Sequence, residues 1–169
     1  GFHVHKEVMD CLLCGASLVE QVSWLTLIQR FETTICLTCE QKFSTVRNEQ
    51  SDHRALYHYN EAMKDYLHRY KFMGDVVLAK VFQKQLYDIF KREQRIVVPI
   101  PMHPQKLVER TFSHIDELLM ASKIPFKHLL EKTTTDHQSK KSREERINTQ
   151  QLFRLIGKID HKHYVVFDD

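Results

Sequence analysis

From residue 61 onward the spacing of apolar positions separates helices from strands. Met63, Tyr66, Leu67 and Tyr70 recur three or four residues apart in EAMKDYLHRYKFM, which predicts a helix capped at its start by Asn60 and ended by Gly74. Val77, Leu78, Val81, Phe82, Leu86, Ile89 and Phe90 form a broader stripe, predicting a second helix with a core-facing side. RIVVPIP, at 95–101, is a short apolar run rich in β-branched residues and predicts a strand buried on both faces, followed by a loop. Phe112, Ile115, Leu118 and Leu119 mark the next helix, and 124–130 is a further strand candidate. Ser142 with Glu145 makes a capping box that opens REERINTQQLF. HYVVFDD closes the sequence as a buried strand that delivers Asp168 and Asp169.

Before residue 61 the pattern is shorter-ranged. SLVEQVSWLTLI suits a small hairpin or helix, EQKFSTVRNEQSDHR a short helix and linker, and RALYHY a strand. Alternating strands and helices, with strands apolar throughout, imply an α/β domain: a parallel sheet flanked by helices over 51–169. Residues 1–50 are expected to form a separate small module, and no internal repeat or low-complexity segment interrupts the sequence.

That small module has its own chemistry. All four cysteines lie within it as CLLC and CLTC, so Cys11, Cys14, Cys36 and Cys39 form a C-x2-C-x21-C-x2-C arrangement. Each knuckle turns two sulfurs toward one point, and two knuckles supply the four thiolates of a closed structural zinc site. Gly15 follows the first knuckle, where positive φ is often required. Two disulfides, or four unrelated buried thiols, are the competing reading, disfavoured by the paired knuckles and by a start, GFHVHKEVMD, without the apolar stretch expected of a secretory signal. His3 and His5 are further candidate ligands.

The composition, 42% hydrophobic and 28% charged over 169 residues, is that of a soluble globular protein. No run approaches the ~18 apolar residues of a membrane span, so no integral membrane segment and a cytoplasmic location are expected. A net charge of +3 is too small to announce a nucleic-acid partner by itself. The eleven histidines are scattered and read mostly as surface or helix residues.

VVPIPMHPQKLVERTFSH, TTTDHQSKKSREERINTQQLF and VVFDD, in that order, resemble the ComF family of late-competence proteins. That family joins a four-cysteine zinc module to a type I phosphoribosyltransferase-like domain, and the resemblance spans nearly the whole chain. Pro99, Pro101, His103 and Pro104 match its V-P-x-P-x-H-P element, and Arg110 and Phe112 match R-G-F-N-Q. Thr111, Ser113 and His114 stand where the family has Gly, Asn and Gln. A threonine at a glycine position makes an unusual backbone conformation harder to adopt.

The resemblance implies that His103 and Arg110 belong to a pyrophosphate loop, and that Asp168 and Asp169 hold ribose hydroxyls and Mg²⁺ of phosphoribosyl pyrophosphate. It also implies a phosphate-binding loop and helix after the acids, so a domain incomplete at its C-terminus and inactive as an enzyme is expected. Lys132, Thr134, Gln138, Ser142, Arg143, Glu145, Arg146 and Asn148 match a flap-like stretch in which Lys141 replaces a leucine. Lys140, Lys141, Arg143 and Arg146 thereby form a basic patch suited to phosphates. Tyrosines of LYHYNEAMKDYLHRYKF are stacking candidates for bases, with core packing as the alternative.

Three functions follow as expectations. The first is an accessory factor of natural transformation that handles incoming single-stranded DNA with the uptake helicase, peripherally associated with the uptake machinery. The second is a phosphoribosyltransferase, and the third a zinc-stabilised adaptor.

Overall fold

The computed structural model describes residues 9–18, 28–47, 52–133, 152–160 and 162–169. The chain divides into two compact units, Gly1–Val81 and Phe82–Asp169.

In the first unit, β1 (Met9–Asp10) and β2 (Ser17–Leu18) form an antiparallel pair around the first cysteine knuckle. The second knuckle opens α1 (Leu37–Glu40), with Cys36 at its N-cap. RALYHY does not form the expected strand. Among the described residues Tyr57 makes one bridge with Thr45, and the backbone pairs through Val46 to Leu56 and His58 to Ser44. Two residues later Asn60 has already turned the chain into α2 (Glu61–Phe72), accepting from the Met63 N–H at 3.0 Å. Gly74 adopts φ +68 just beyond that helix, as a terminating glycine should.

The stripe from Val77 to Phe90 is helical in two parts, not one. A tight 3-10 stretch, Val76–Phe82, runs into α3 (Gln83–Phe90). The change of pitch leaves Leu78, Val81, Phe82 and Leu86 buried but turns Val77 outward, 40% exposed. Tyr66 and Tyr70 are core residues, stacked with ring centroids 5.8 Å apart, and the Tyr66 hydroxyl donates to the Leu78 carbonyl at 2.9 Å. Burial removes both rings as base-stacking platforms. Tyr59, by contrast, is well exposed.

The second unit is organised by β3 (Ile96–Pro99) and β6 (Tyr164–Phe167), paired parallel with Val97 opposite Val165 and Pro99 opposite Phe167. Val97, Val98 and Pro99 are consecutive and all buried, so this strand is covered on both faces as expected. Phe126 flanks its other side through one parallel bridge, where a full strand over 124–130 was expected. The regular strand starts later, as β4 (Leu130–Lys132), antiparallel to β5 (Phe153–Leu155). β6 is only partly covered: Phe167 is buried against Phe90 in an edge-to-face contact at 5.8 Å, while Val166 is 56% exposed.

The expected loop after β3 contains a helix, α4 (Pro104–Arg110). It buries no residue, so it leaves no apolar periodicity to read; its start is set instead by Pro104 and by the His103 ring, which accepts from the Gln105 N–H. Next comes α5 (His114–Ala121), capped by Ser113 and carrying Ile115, Leu118 and Leu119 inward to pack beside α3. The capping box at Ser142 and Glu145 lies outside the described residues. Mixed helix and sheet, a parallel strand pair and a four-cysteine cluster are therefore the observed architecture.

Between α4 and α5 Thr111 takes φ +65 and ψ −8, a left-handed conformation at the helix end. Its Cβ clashes with backbone there, at a cost of about 1 kcal/mol relative to glycine. Thr111→Gly is therefore expected to raise the stability of the second unit by about 1 kcal/mol in urea unfolding. An unchanged or lowered midpoint would mean that Thr111 makes a compensating contact.

Candidate metal centre and acidic pair

The four cysteine sulfurs all lie within 4.8 Å of one another. A tetrahedral zinc with bonds of about 2.3 Å places its sulfurs about 3.8 Å apart, and Cys14 Sγ and Cys36 Sγ are separated by 3.7 Å. The donor set thus fits a soft cation held by four thiolates and can hold a metal ion.

Backbone amides prepare it. Burial opposes charge on Cys11, but the N–H groups of Cys14, Cys36 and Leu13 outweigh burial and bring that thiol down to about 6. Burial drives Cys39 the other way, to about 12, reinforced by its contacts with the neighbouring sulfurs. Four crowded sulfurs give up their first proton readily and their last reluctantly, unless a cation replaces the protons.

The two knuckles are stitched together by the Leu12 N–H donating to the Thr34 carbonyl at 2.9 Å and the Cys36 N–H donating to Cys11 Sγ at 3.3 Å. Gly15 supplies φ +75, which lets its N–H return to the Cys11 carbonyl. From α2, Arg69 donates to the carbonyls of Leu13 and Leu12 at 3.0 and 3.1 Å and pairs with Asp75 at 3.3 Å. A guanidinium held by Asp75 thus braces the backbone of the first knuckle. Sequence reasoning passed over Arg69, because contacts between residues more than fifty positions apart leave no local pattern.

The second site lies at the carboxyl end of the parallel pair. The Ile100 N–H still donates to the Phe167 carbonyl at 2.9 Å, so Asp168 and Asp169 emerge beside the segment that leads to His103. In open α/β sheets ligands bind outside this end of the strands. The Asp169 side chain is only 13% exposed and its Oδ2 is 3.1 Å from Nε2 of His114, which is itself buried. Arg110 Nη1 reaches the other ring nitrogen, Nδ1, at 3.2 Å.

Two of the sequence candidates, Arg110 and Asp169, are thus joined through His114, a helix residue at the first position of α5 that is also buried. His103 follows the same strand but spends Nδ1 on capping α4. Lys140, Lys141, Arg143 and Arg146 lie outside the described residues, as do His3 and His5.

At the opposite end of the strands a surface cleft is lined by Arg92, Glu93, Arg95, Lys162 and His163. Its basic character is partly spent internally: Arg95 grips Glu93 with two bonds of 2.9 and 2.8 Å, and these hold the Glu93 carboxyl down to about 2.

A mixed α/β chain with a four-thiol centre in one unit and an acidic pair ending a parallel strand in the other has clear relatives. Competence protein ComFC of Streptococcus pneumoniae strain ATCC BAA-255 / R6 is 32% identical over 191 residues, covering 95% of this chain and 86% of that protein. Competence protein ComFC of Bacillus subtilis strain 168 is 26% identical over 188 residues, covering 90% of this chain and 78% of its own. No family model and no solved structure matches the chain. The chain belongs to the ComF-type competence proteins, and a competence-related role comes with that membership. Among the described residues no helix is long and apolar enough to cross a membrane.

Proposed function

We propose that this protein is an accessory factor of natural transformation that handles incoming single-stranded DNA on the cytoplasmic side, together with the uptake helicase. The observation that carries this reading is the likeness to two competence proteins along nine-tenths or more of the chain. In this reading residues 1–50 form a zinc-stabilised module, and 51–169 a phosphoribosyltransferase-like domain. Lys140, Lys141, Arg143 and Arg146 supply the phosphate contacts. Zinc is the metal best suited to the four thiols, because an all-thiolate set without an open position favours a structural, redox-inert ion.

Fluorescence anisotropy with a labelled single-stranded oligonucleotide, followed over a salt series, tests the DNA-handling role. Affinity should fall with a logarithmic slope of about −0.7 per phosphate contacted, and neutralising the four basic residues should flatten that slope by up to about 3. Absence of binding at low salt would overturn direct DNA handling and favour an adaptor that acts through protein contacts alone.

A second reading concerns the other site and rests on the acidic pair at the carboxyl end of the parallel strands. Asp168 and Asp169 bind the ribose hydroxyls of phosphoribosyl pyrophosphate with Mg²⁺, and Arg110 lies beside its pyrophosphate. Carboxylates accept hydrogen bonds from a vicinal diol and share a hard divalent cation with it. Binding without turnover is sufficient for this reading.

A further inference from the structure

His114 is a residue of the second unit whose chemistry the proposed function leaves unused. It is 6% exposed at the first position of α5, where a histidine side chain would ordinarily reach water. Its ring nitrogens meet Asp169 Oδ2, 3.1 Å from Nε2, and Arg110 Nη1 and Met102 Sδ, 3.2 and 3.0 Å from Nδ1.

The donors and acceptors fix its hydrogens. Arginine can only donate and a thioether can only accept, so Nδ1 is either an acceptor for Arg110 or a donor to Met102. In the first case the ring is neutral and its one hydrogen sits on Nε2. In the second the adjacent carboxylate requires a hydrogen on Nε2 as well, making an imidazolium. Both assignments make Nε2–H a donor to Asp169. With the neutral ring, donation runs one way, from the guanidinium through the imidazole to the carboxylate, and successive bonds polarise one another.

We propose that His114 is the positioning residue of the acidic pair. Its Nε2–H holds the Asp169 carboxylate in one orientation at the end of the parallel strands, so that a vicinal diol, or the divalent cation bridging it, meets an acceptor already aimed. The inference deepens the phosphoribosyl reading and rests on it. It also gives the strained Thr111 a consequence: the left-handed turn directly after Arg110 lies in the short link to His114, whose ring Arg110 reaches.

The test uses the full-length protein with three substitutions. His114→Leu keeps the apolar bulk but removes both nitrogens, His114→Gln restores an uncharged N–H donor, and Asp169→Asn removes the charged acceptor. Calorimetric binding of phosphoribosyl pyrophosphate with Mg²⁺ should weaken about 10- to 100-fold in His114→Leu and stay within about threefold in His114→Gln, because a hydrogen bond to a charged group is the part lost and regained. Long-range ¹H–¹⁵N spectra of the unsubstituted protein should report a protonated Nε2 that shifts on Asp169→Asn, a signature that packing alone would not produce.

Failure of the unsubstituted protein to bind this ligand would overturn the phosphoribosyl reading. Unchanged binding by a folded His114→Leu, or a ring spectrum indifferent to Asp169→Asn, would overturn the positioning role.

Discussion

Cys39→Ser is expected to unfold the first unit. Cys39 is 4% exposed and its sulfur is one of four within 4.8 Å of each other, so the change removes one of four candidate metal ligands and leaves a buried hydroxyl in its place. A structural zinc contributes roughly 10–16 kcal/mol to the folding of small domains, as much as or more than the roughly 5–15 kcal/mol that holds a typical domain together. The rest of the module is thin. Among its described residues the two knuckles are linked by the hydrogen bonds from Leu12 to Thr34 and from Cys36 to Cys11, while Arg69 of α2 braces the carbonyls of Leu12 and Leu13 in the first knuckle. Metal analysis should find one zinc per chain in the unsubstituted protein and none in Cys39→Ser. Hydrogen exchange should show protection lost over 9–81, and a strong chelator should reproduce that loss. A Cys39→Ser protein that kept its protection would refute a structural role for the metal.

The knuckles were legible because a metal site written as two C-x2-C pairs is local in sequence: each half is complete within four residues. β3 and β6 were legible for a related reason, since a run such as Ile96, Val97, Val98 and Pro99 is apolar on both faces and needs no partner to be read. What the sequence hid is of two kinds. The helix α4 has no buried face, so nothing in its hydrophobic pattern marks it, and only Pro104 hinted at its start. His114 was hidden because its partners are 4 and 55 residues away, Arg110 and Asp169, on different elements. A family glutamine replaced by histidine registered only as a departure from the expected motif, not as a donor to the acidic pair. Tyr66 and Tyr70 were ambiguous for a third reason: a helix stripe of aromatics reads alike whether it faces a core or a strand of nucleic acid, and only burial decides.

Leu119→Ala is expected to destabilise the second unit by about 2–5 kcal/mol. Leu119 is fully buried on the inner face of α5, next to Ile115 and Leu118, where that helix packs beside α3. Truncation leaves a cavity that neighbours on two rigid helices cannot easily fill, and the loss should lower the melting temperature by roughly 10–30 °C. Met120, one residue on and 52% exposed, provides the comparison, because Met120→Ala should change stability by no more than about 0.5 kcal/mol. The consequence reaches the site, since α5 also carries His114 at its first position. A helix loosened from α3 holds the imidazole less firmly against Asp169, so the protonated Nε2 signal should broaden in Leu119→Ala at temperatures where the protein is still folded. Equal melting of the two alanine variants would mean that the inner face of α5 is not what anchors the helix. A destabilised Leu119→Ala with an undisturbed His114 signal would instead show that Ser113 and the turn at Thr111 fix the ring without help from the core.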